Sequence, residues 1–128
     1  MDFNELNHLR EAVKNSPDNV PLRKFLANAL IKNNQYEEAE IEYKAALKLA
    51  PQDNELKLGL AEAFAGQEKT SLGLVLIEEL TALPTPPTKT WLVYARLLLQ
   101  TKDARGAKEA YDNALAIDAN LADSFLES

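Results

Sequence analysis

Residues 20–51 read VPLRKFLANALIKNNQYEEAEIEYKAALKLAP, and their pattern recurs along the chain at a fixed spacing. Leu26 is followed 34 positions later by Leu60 and, after another 34 positions, by Tyr94. The other sets that keep this register are Ala27, Ala61 and Ala95; Leu30, Phe64 and Leu98; Ala39, Gly73 and Ala107; and Tyr43, Ile77 and Tyr111. Self-similarity at a period of about 20–50 residues is typical of proteins built from stacked repeats. The sequence therefore predicts repeated units, each made of two helices joined by a short polar turn.

The residues of this unit resemble the tetratricopeptide repeat, in which small side chains lie where two helices cross and large ones fill the spaces beside them. The matching residues are Leu26, Ala27, Leu30, Ala39, Tyr43, Ala46 and Pro51, and the third copy adds Trp91. The resemblance implies an all-α fold: a right-handed superhelical α-α solenoid of three repeats, flanked by an N-terminal helix and a partial C-terminal helix.

Apolar periodicity and helix-ending residues place the helices along the chain. We expect them at about residues 3–15, 20–33, 36–49, 54–67, 70–83, 88–101 and 104–117, with the start of another at residue 121. The length of 128 residues fits a single domain over residues 1–128. Because half a repeat stands at each end, we expect a fragment of a longer protein; a short natural cap at the C-terminus is the competing interpretation.

Composition narrows the classes of function. The net charge of −6 argues against a general nucleic-acid surface, because phosphate binding needs clustered positive charge. The apolar stretches fall short of the roughly 20 residues that cross a bilayer, so we expect no membrane insertion. The chain has no cysteine, which fits a reducing compartment, and we expect a cytoplasmic protein.

The residues needed for catalysis or metal binding are sparse. His8 is the one histidine, too few for a histidine metal cluster, and its position on the polar side of the first helix indicates a surface residue. The four glycines form neither a GxGxxG nor a phosphate-loop pattern. We expect no enzyme activity, no cofactor and no metal.

The resemblance also implies a binding surface, because the first helices of stacked tetratricopeptide repeats line a concave groove. The groove positions here are Lys24, Phe25, Asn28, Ile31, Leu58, Glu62, Lys89, Leu92, Val93 and Arg96. Apolar residues between charged ones suit an extended peptide or a helix with apolar anchors. We expect a protein–protein interaction module, an adaptor region of a larger protein. The alternatives are a self-associating structural solenoid and a regulatory domain of an attached enzyme.

One subfamily binds the acidic C-terminal tails of heat-shock chaperones through a carboxylate clamp, and this chain matches the clamp in part. Lys24, Asn28 and Lys89 match it, whereas Gly59 and Val93 stand where the clamp has polar or basic side chains. The two glutamates of the second repeat would repel an acidic ligand. The residues therefore favour a different ligand or a coincidental match over a true clamp.

The second helix of the second repeat is apolar around much of its circumference. Leu72 and Val75 fall at positions that usually face solvent on the convex side of such a repeat. Two interpretations follow: an unusually apolar but buried helix, or a contact patch for another domain or subunit.

Overall fold

The computed structural model describes residues 2–119, and all regular secondary structure in that part of the chain is helical. The helices are α1 (Phe3–Asn15), α2 (Val20–Lys32), α3 (Tyr36–Leu49), α4 (Asn54–Gly66), α5 (Thr70–Thr81), α6 (Thr90–Gln100) and α7 (Ala104–Ile117). This architecture confirms the predicted all-α helical-repeat solenoid. The expected start of a further helix at residue 121 lies outside the described residues. None of the helices within residues 2–119 is long and apolar enough to cross a membrane.

The helices stack in the order of the sequence. The pairs α2–α3, α4–α5 and α6–α7 each pack against each other, and α3–α4 and α5–α6 join one pair to the next. Helix α1 packs on α2, where the second helix of a preceding repeat would lie. Helix α4 also contacts α2 on one side and α6 on the other. The first helices of the three repeats therefore form one continuous layer.

Small side chains allow the helices to approach closely. Ala27, Ala39 and Ala46 have no exposed surface, and the large side chains of Leu26 and Tyr43 are 1% and 2% exposed beside them. The large residues thus fill the space beside the small ones where the helices cross. A single pair cannot bury all of its apolar surface alone, so each pair depends on its neighbours.

The turn between the two helices of each repeat contains one residue in the left-handed conformation. Asn34, Glu68 and Lys102 have φ of 60°, 57° and 65°, and they are spaced by the repeat length. The amide of Gln35 donates to the carbonyl of Leu30 at 2.9 Å, which is the bond that closes a Schellman motif. The equivalent 2.9 Å bonds join Lys69 N to Phe64 O and Asp103 N to Leu98 O. The same turn thus sets the angle of all three helix pairs.

The loop between the second and third repeats shortens the helices on both sides of it. Helix α5 ends at Thr81 rather than at residue 83, and α6 begins at Thr90 rather than at residue 88. Pro84 disfavours helical geometry in Leu83, the residue before it, which explains the earlier end of α5. Before α6 the amide of Thr90 donates to the carbonyl of Pro87 at 3.0 Å, so residues 87–90 form a turn and the helix begins at the end of that turn. The other expected helix ends differ from the observed ones by at most one residue.

Candidate peptide-binding groove

A cleft of about 390 Å³ lies where α2, α4 and the beginning of α6 meet. The predicted groove residues that line it are Lys24, Asn28, Ile31, Leu58, Glu62 and Lys89. They come together because α4 contacts both α2 and α6 and so presents its middle turns between them. Leu58 is 5% exposed and Ile31 packs against the core, so these two form an apolar floor.

The structure places the other four predicted groove residues outside the lining of this cleft. Phe25 is 56% exposed on α2, and Arg96 is half-buried on α6. Leu92 and Val93 are only 5% and 4% exposed. Leu92 packs with Ala114 of α7, and Val93 belongs to the core formed by α4, α5 and α6. The expectation that they offer surface to a ligand therefore does not hold in this structure, because α6 turns these side chains into the packing between helices.

Tyr43 of α3 also belongs to the groove, although the repeat pattern predicts only a core position for it. Its side chain is 2% exposed, yet its hydroxyl reaches the cleft and donates a 2.5 Å hydrogen bond to Oδ1 of Asn28. The bond uses one of the two acceptor lone pairs of the amide oxygen and fixes which way the amide points, so the Nδ2 hydrogens of Asn28 can donate to a ligand. The sequence feature that indicates this contribution is the combination of a tyrosine at position 43 with a glycine at position 59, since the ring lies opposite the glycine.

Gly59 makes room for the Tyr43 ring. A Cβ added at Gly59 would overlap the ring and hydroxyl of Tyr43. The aromatic ring therefore fills the space into which the second repeat of a carboxylate clamp would project a polar side chain. This packing explains the departure from the clamp pattern at this position.

The charged side chains of the cleft influence one another. Burial raises the pKa of Glu62, the nearby cations of Lys89 and Arg96 act in the opposite direction, and Glu55 adds to the increase. Burial, reinforced by the charge of Glu62, also raises the pKa of Tyr43 above its ordinary range. The Tyr43 hydroxyl consequently stays protonated and remains a donor at physiological pH.

Lys24 is already engaged within the domain. Its ammonium lies 3.7 Å from Oδ1 of Asp53. The same Asp53 oxygen accepts from the amide of Leu56 and caps the N-terminus of α4. Part of the Lys24 charge is therefore compensated before any ligand arrives, which weakens Lys24 as a holder of a carboxylate.

Comparison with known families decides what kind of repeat this is. One model described as tetratricopeptide repeat matches residues 6–63, and a second with the same description matches residues 88–121. The chain belongs to the tetratricopeptide-repeat family. A comparison with curated protein sequences found no significant match. Tetratricopeptide repeats generally act as protein–protein interaction modules, and the family is typically non-catalytic.

The two matches to the tetratricopeptide repeat leave out residues 64–87, which contain α5. On this helix Leu72 and Val75 are 52% and 66% exposed. Gly73, Ile77 and Leu80 form its buried side. The interpretation of a wholly buried apolar helix is therefore wrong for Leu72 and Val75, and the contact-patch interpretation stays a prediction.

Within residues 2–119, no group of three or more histidine, cysteine, aspartate or glutamate side chains is arranged to hold a metal ion.

The cleft has hydrogen-bond donors, charges and an apolar floor. These groups suit non-covalent binding of a peptide.

Proposed function

We propose that this tetratricopeptide-repeat domain binds a peptide or helix of a protein partner in the cleft between α2, α4 and α6. The observation that carries the proposal is the cleft itself, whose volume of about 390 Å³ is bounded by an apolar floor and by polar groups of three repeats. Ligand sites commonly combine these two features, with apolar area for affinity and a few polar groups for orientation.

The exposed face of α2 offers two different contacts. Phe25 is more than half exposed and can cover an apolar side chain of the ligand. Asn28, one helical turn further along, can donate from Nδ2 to a backbone carbonyl of the ligand. Such a hydrogen bond recognises any extended peptide, so specificity has to come from the side chains around it.

The biological setting that we propose is an adaptor region of a larger protein that works in the cytoplasm and has no catalytic role of its own. What supports this setting is the family, since tetratricopeptide repeats bind protein partners.

Self-association is a second candidate, favoured by the exposure of Leu72 and Val75 on α5. Two exposed aliphatic side chains one turn apart form a small apolar patch that a second copy could cover. Sedimentation velocity at several concentrations tests this candidate. A concentration-dependent dimer that Leu72→Ser with Val75→Ser abolishes supports it, and a monomer at all concentrations contradicts it.

Selection from a phage-displayed library of random peptides tests groove binding. Enriched peptides are measured by fluorescence anisotropy against the wild-type domain, a groove variant (Asn28→Ala with Lys89→Ala, both exposed residues of the cleft lining) and a convex variant (Leu72→Ser with Val75→Ser). We expect binding to weaken in the groove variant and to persist in the convex variant. Enriched peptides that bind the groove variant as well as the wild type would contradict the proposal.

A further inference from the structure

The charged residues of α2, α4 and α6 form alternating rows across the cleft. Lys24 and Lys32 of α2 lie on one side, and Glu55 and Glu62 of α4 occupy the centre. Lys89 and Arg96 belong to the third repeat: Lys89 lines the far side of the cleft, and the charge of Arg96 acts on Glu62 from α6. A path from the first repeat to the third therefore meets positive, negative and positive charge in turn.

The central carboxylates are placed to receive a ligand. Glu55 and Glu62 are seven residues apart, which puts them two turns apart on the same face of α4. Among the described residues, neither carboxylate has a hydrogen bond or an ion pair within 4.0 Å. Lys89 and Arg96 influence Glu62 only through longer-range attraction. Glu62 is partly buried, whereas Glu55 is exposed. A partly buried carboxylate without a hydrogen-bond donor is unfavourable, so a ligand that supplies a donor to Glu62 gains free energy.

The spacing of the rows sets the spacing of complementary charges in a ligand. Packed helices have axes about 8–10 Å apart. An extended peptide in the polyproline II conformation rises about 3.1 Å per residue and returns to the same face every three residues. Three residues therefore carry the peptide from one row to the next.

We propose that the ligand of this cleft is an extended peptide with a basic residue that pairs with Glu62 or Glu55 and with acidic residues about three positions before and after it. This inference deepens the groove-binding function and rests on it. On one side an acidic residue faces Lys32 of α2, because the charge of Lys24 is already partly compensated by Asp53. On the other side the second acidic residue faces Lys89 with Arg96. The pattern differs from a purely acidic tail, which the central carboxylates would repel.

The test starts from peptides that bind the wild-type domain and lose affinity in the Asn28→Ala, Lys89→Ala groove variant. In these peptides the basic residue is replaced by glutamine, and both versions are measured against the wild type, Glu62→Gln, Glu55→Gln and Glu78→Gln. Glu78 is exposed on α5 and serves as the matched control. Circular dichroism melts verify that each variant is folded.

We expect the replacement to weaken binding roughly tenfold in the wild type and in Glu78→Gln, but much less in Glu62→Gln or Glu55→Gln, because the charge pair is already absent there. Groove-binding peptides without a basic residue, or an equal loss in all variants, would overturn the charge pattern and leave groove binding intact. Helical groove peptides with apolar anchors alone would do the same. Peptides that bind only outside the groove would overturn both proposals.

Discussion

The hydroxyl of Tyr43 on α3 donates to Oδ1 of Asn28 on α2 across a distance of 2.5 Å. The bond links a buried core side chain to an exposed groove side chain, and so connects packing to the proposed binding surface. It also holds the Asn28 amide in one orientation, with its donors available to a ligand. Removing the hydroxyl should therefore change both stability and recognition.

We expect Tyr43→Phe to lower the free energy of unfolding by about 1 kcal/mol, the usual net contribution of one hydrogen bond. Urea unfolding of Tyr43→Phe, Asn28→Ala and the double variant measures this. The two single changes should not add, because each removes the same bond. Additive losses would show that the two side chains act independently.

The contact between the Tyr43 ring and Gly59 predicts the effect of a single added methyl group. Alanine normally stabilises a helix interior by about 0.5–1 kcal/mol relative to glycine. At Gly59 the new methyl group would overlap a buried ring, and overpacking of this kind costs about 1–3 kcal/mol. We expect Gly59→Ala to be destabilising overall in urea unfolding.

A second substitution separates overpacking from a general intolerance of α4. In a Tyr43→Leu background the ring is absent, so Gly59→Ala should become neutral or stabilising. A Gly59→Ala variant that is more stable than the wild type would contradict the packing that the structure shows.

The 34-residue register predicts most of the fold and about half of the residues that line the proposed site. It placed Ala39 in the core because a fixed period repeats the same helix crossing in every unit. It also assigned Leu92 and Val93 to the groove, but register gives only the direction of a helix face. Whether a side chain on that face stays exposed depends on how α6 is rotated against α7. The repeat period alone does not predict this rotation.

The contribution of Tyr43 to the groove was missed for a related reason. The pattern showed a large residue at a core position, which is correct, but it did not show that the hydroxyl extends beyond the core. The length of the tyrosine side chain and the absence of a side chain at Gly59 have to be considered together, and they lie on different helices of different repeats.

Glu68 and Lys102 occupy left-handed positions with side chains that disfavour them. A Cβ in this conformation costs about 1–2 kcal/mol, whereas glycine adopts it freely. We expect Glu68→Gly and Lys102→Gly each to raise the free energy of unfolding by roughly 1 kcal/mol. Asn34→Gly should gain less, since asparagine tolerates the conformation better.

Thr101→Gly is the matched control for Lys102→Gly, because Thr101 precedes it with an ordinary φ of −87°. Glycine should lower stability there, because it brings flexibility without relief of strain and removes the 2.8 Å hydrogen bond that the Thr101 hydroxyl donates to the carbonyl of Leu98. Thermal melts followed by circular dichroism report both changes. A loss of stability in Lys102→Gly equal to that in Thr101→Gly would rule out strain at the turn.

The carboxylate of Glu40 joins the first repeat to the second. It accepts from Lys44 on its own helix at 2.6 Å, and from Gln67 and Lys69 of the next repeat at 2.9 and 3.1 Å. Burial by itself raises the pKa of Glu40, but these hydrogen bonds outweigh it and lower the pKa to about 2. The folded state therefore favours the ionised carboxylate.

A lowered pKa means that Glu40 stabilises the fold fully above the pKa of an unfolded glutamate, about 4.3. This contribution is lost as the pH falls from there toward the folded value of about 2. Urea unfolding of the wild type and Glu40→Gln across this range should show a difference of about 1 kcal/mol at neutral pH that shrinks toward pH 2, because Lys44 and Lys69 are about half exposed and solvent screens their attraction. Glu37→Gln, on the exposed side of the same helix, should track the wild type. A stability difference between the wild type and Glu40→Gln that does not change with pH would refute this role. The difference can depend on pH only if the Glu40 carboxylate takes up a proton as the pH falls.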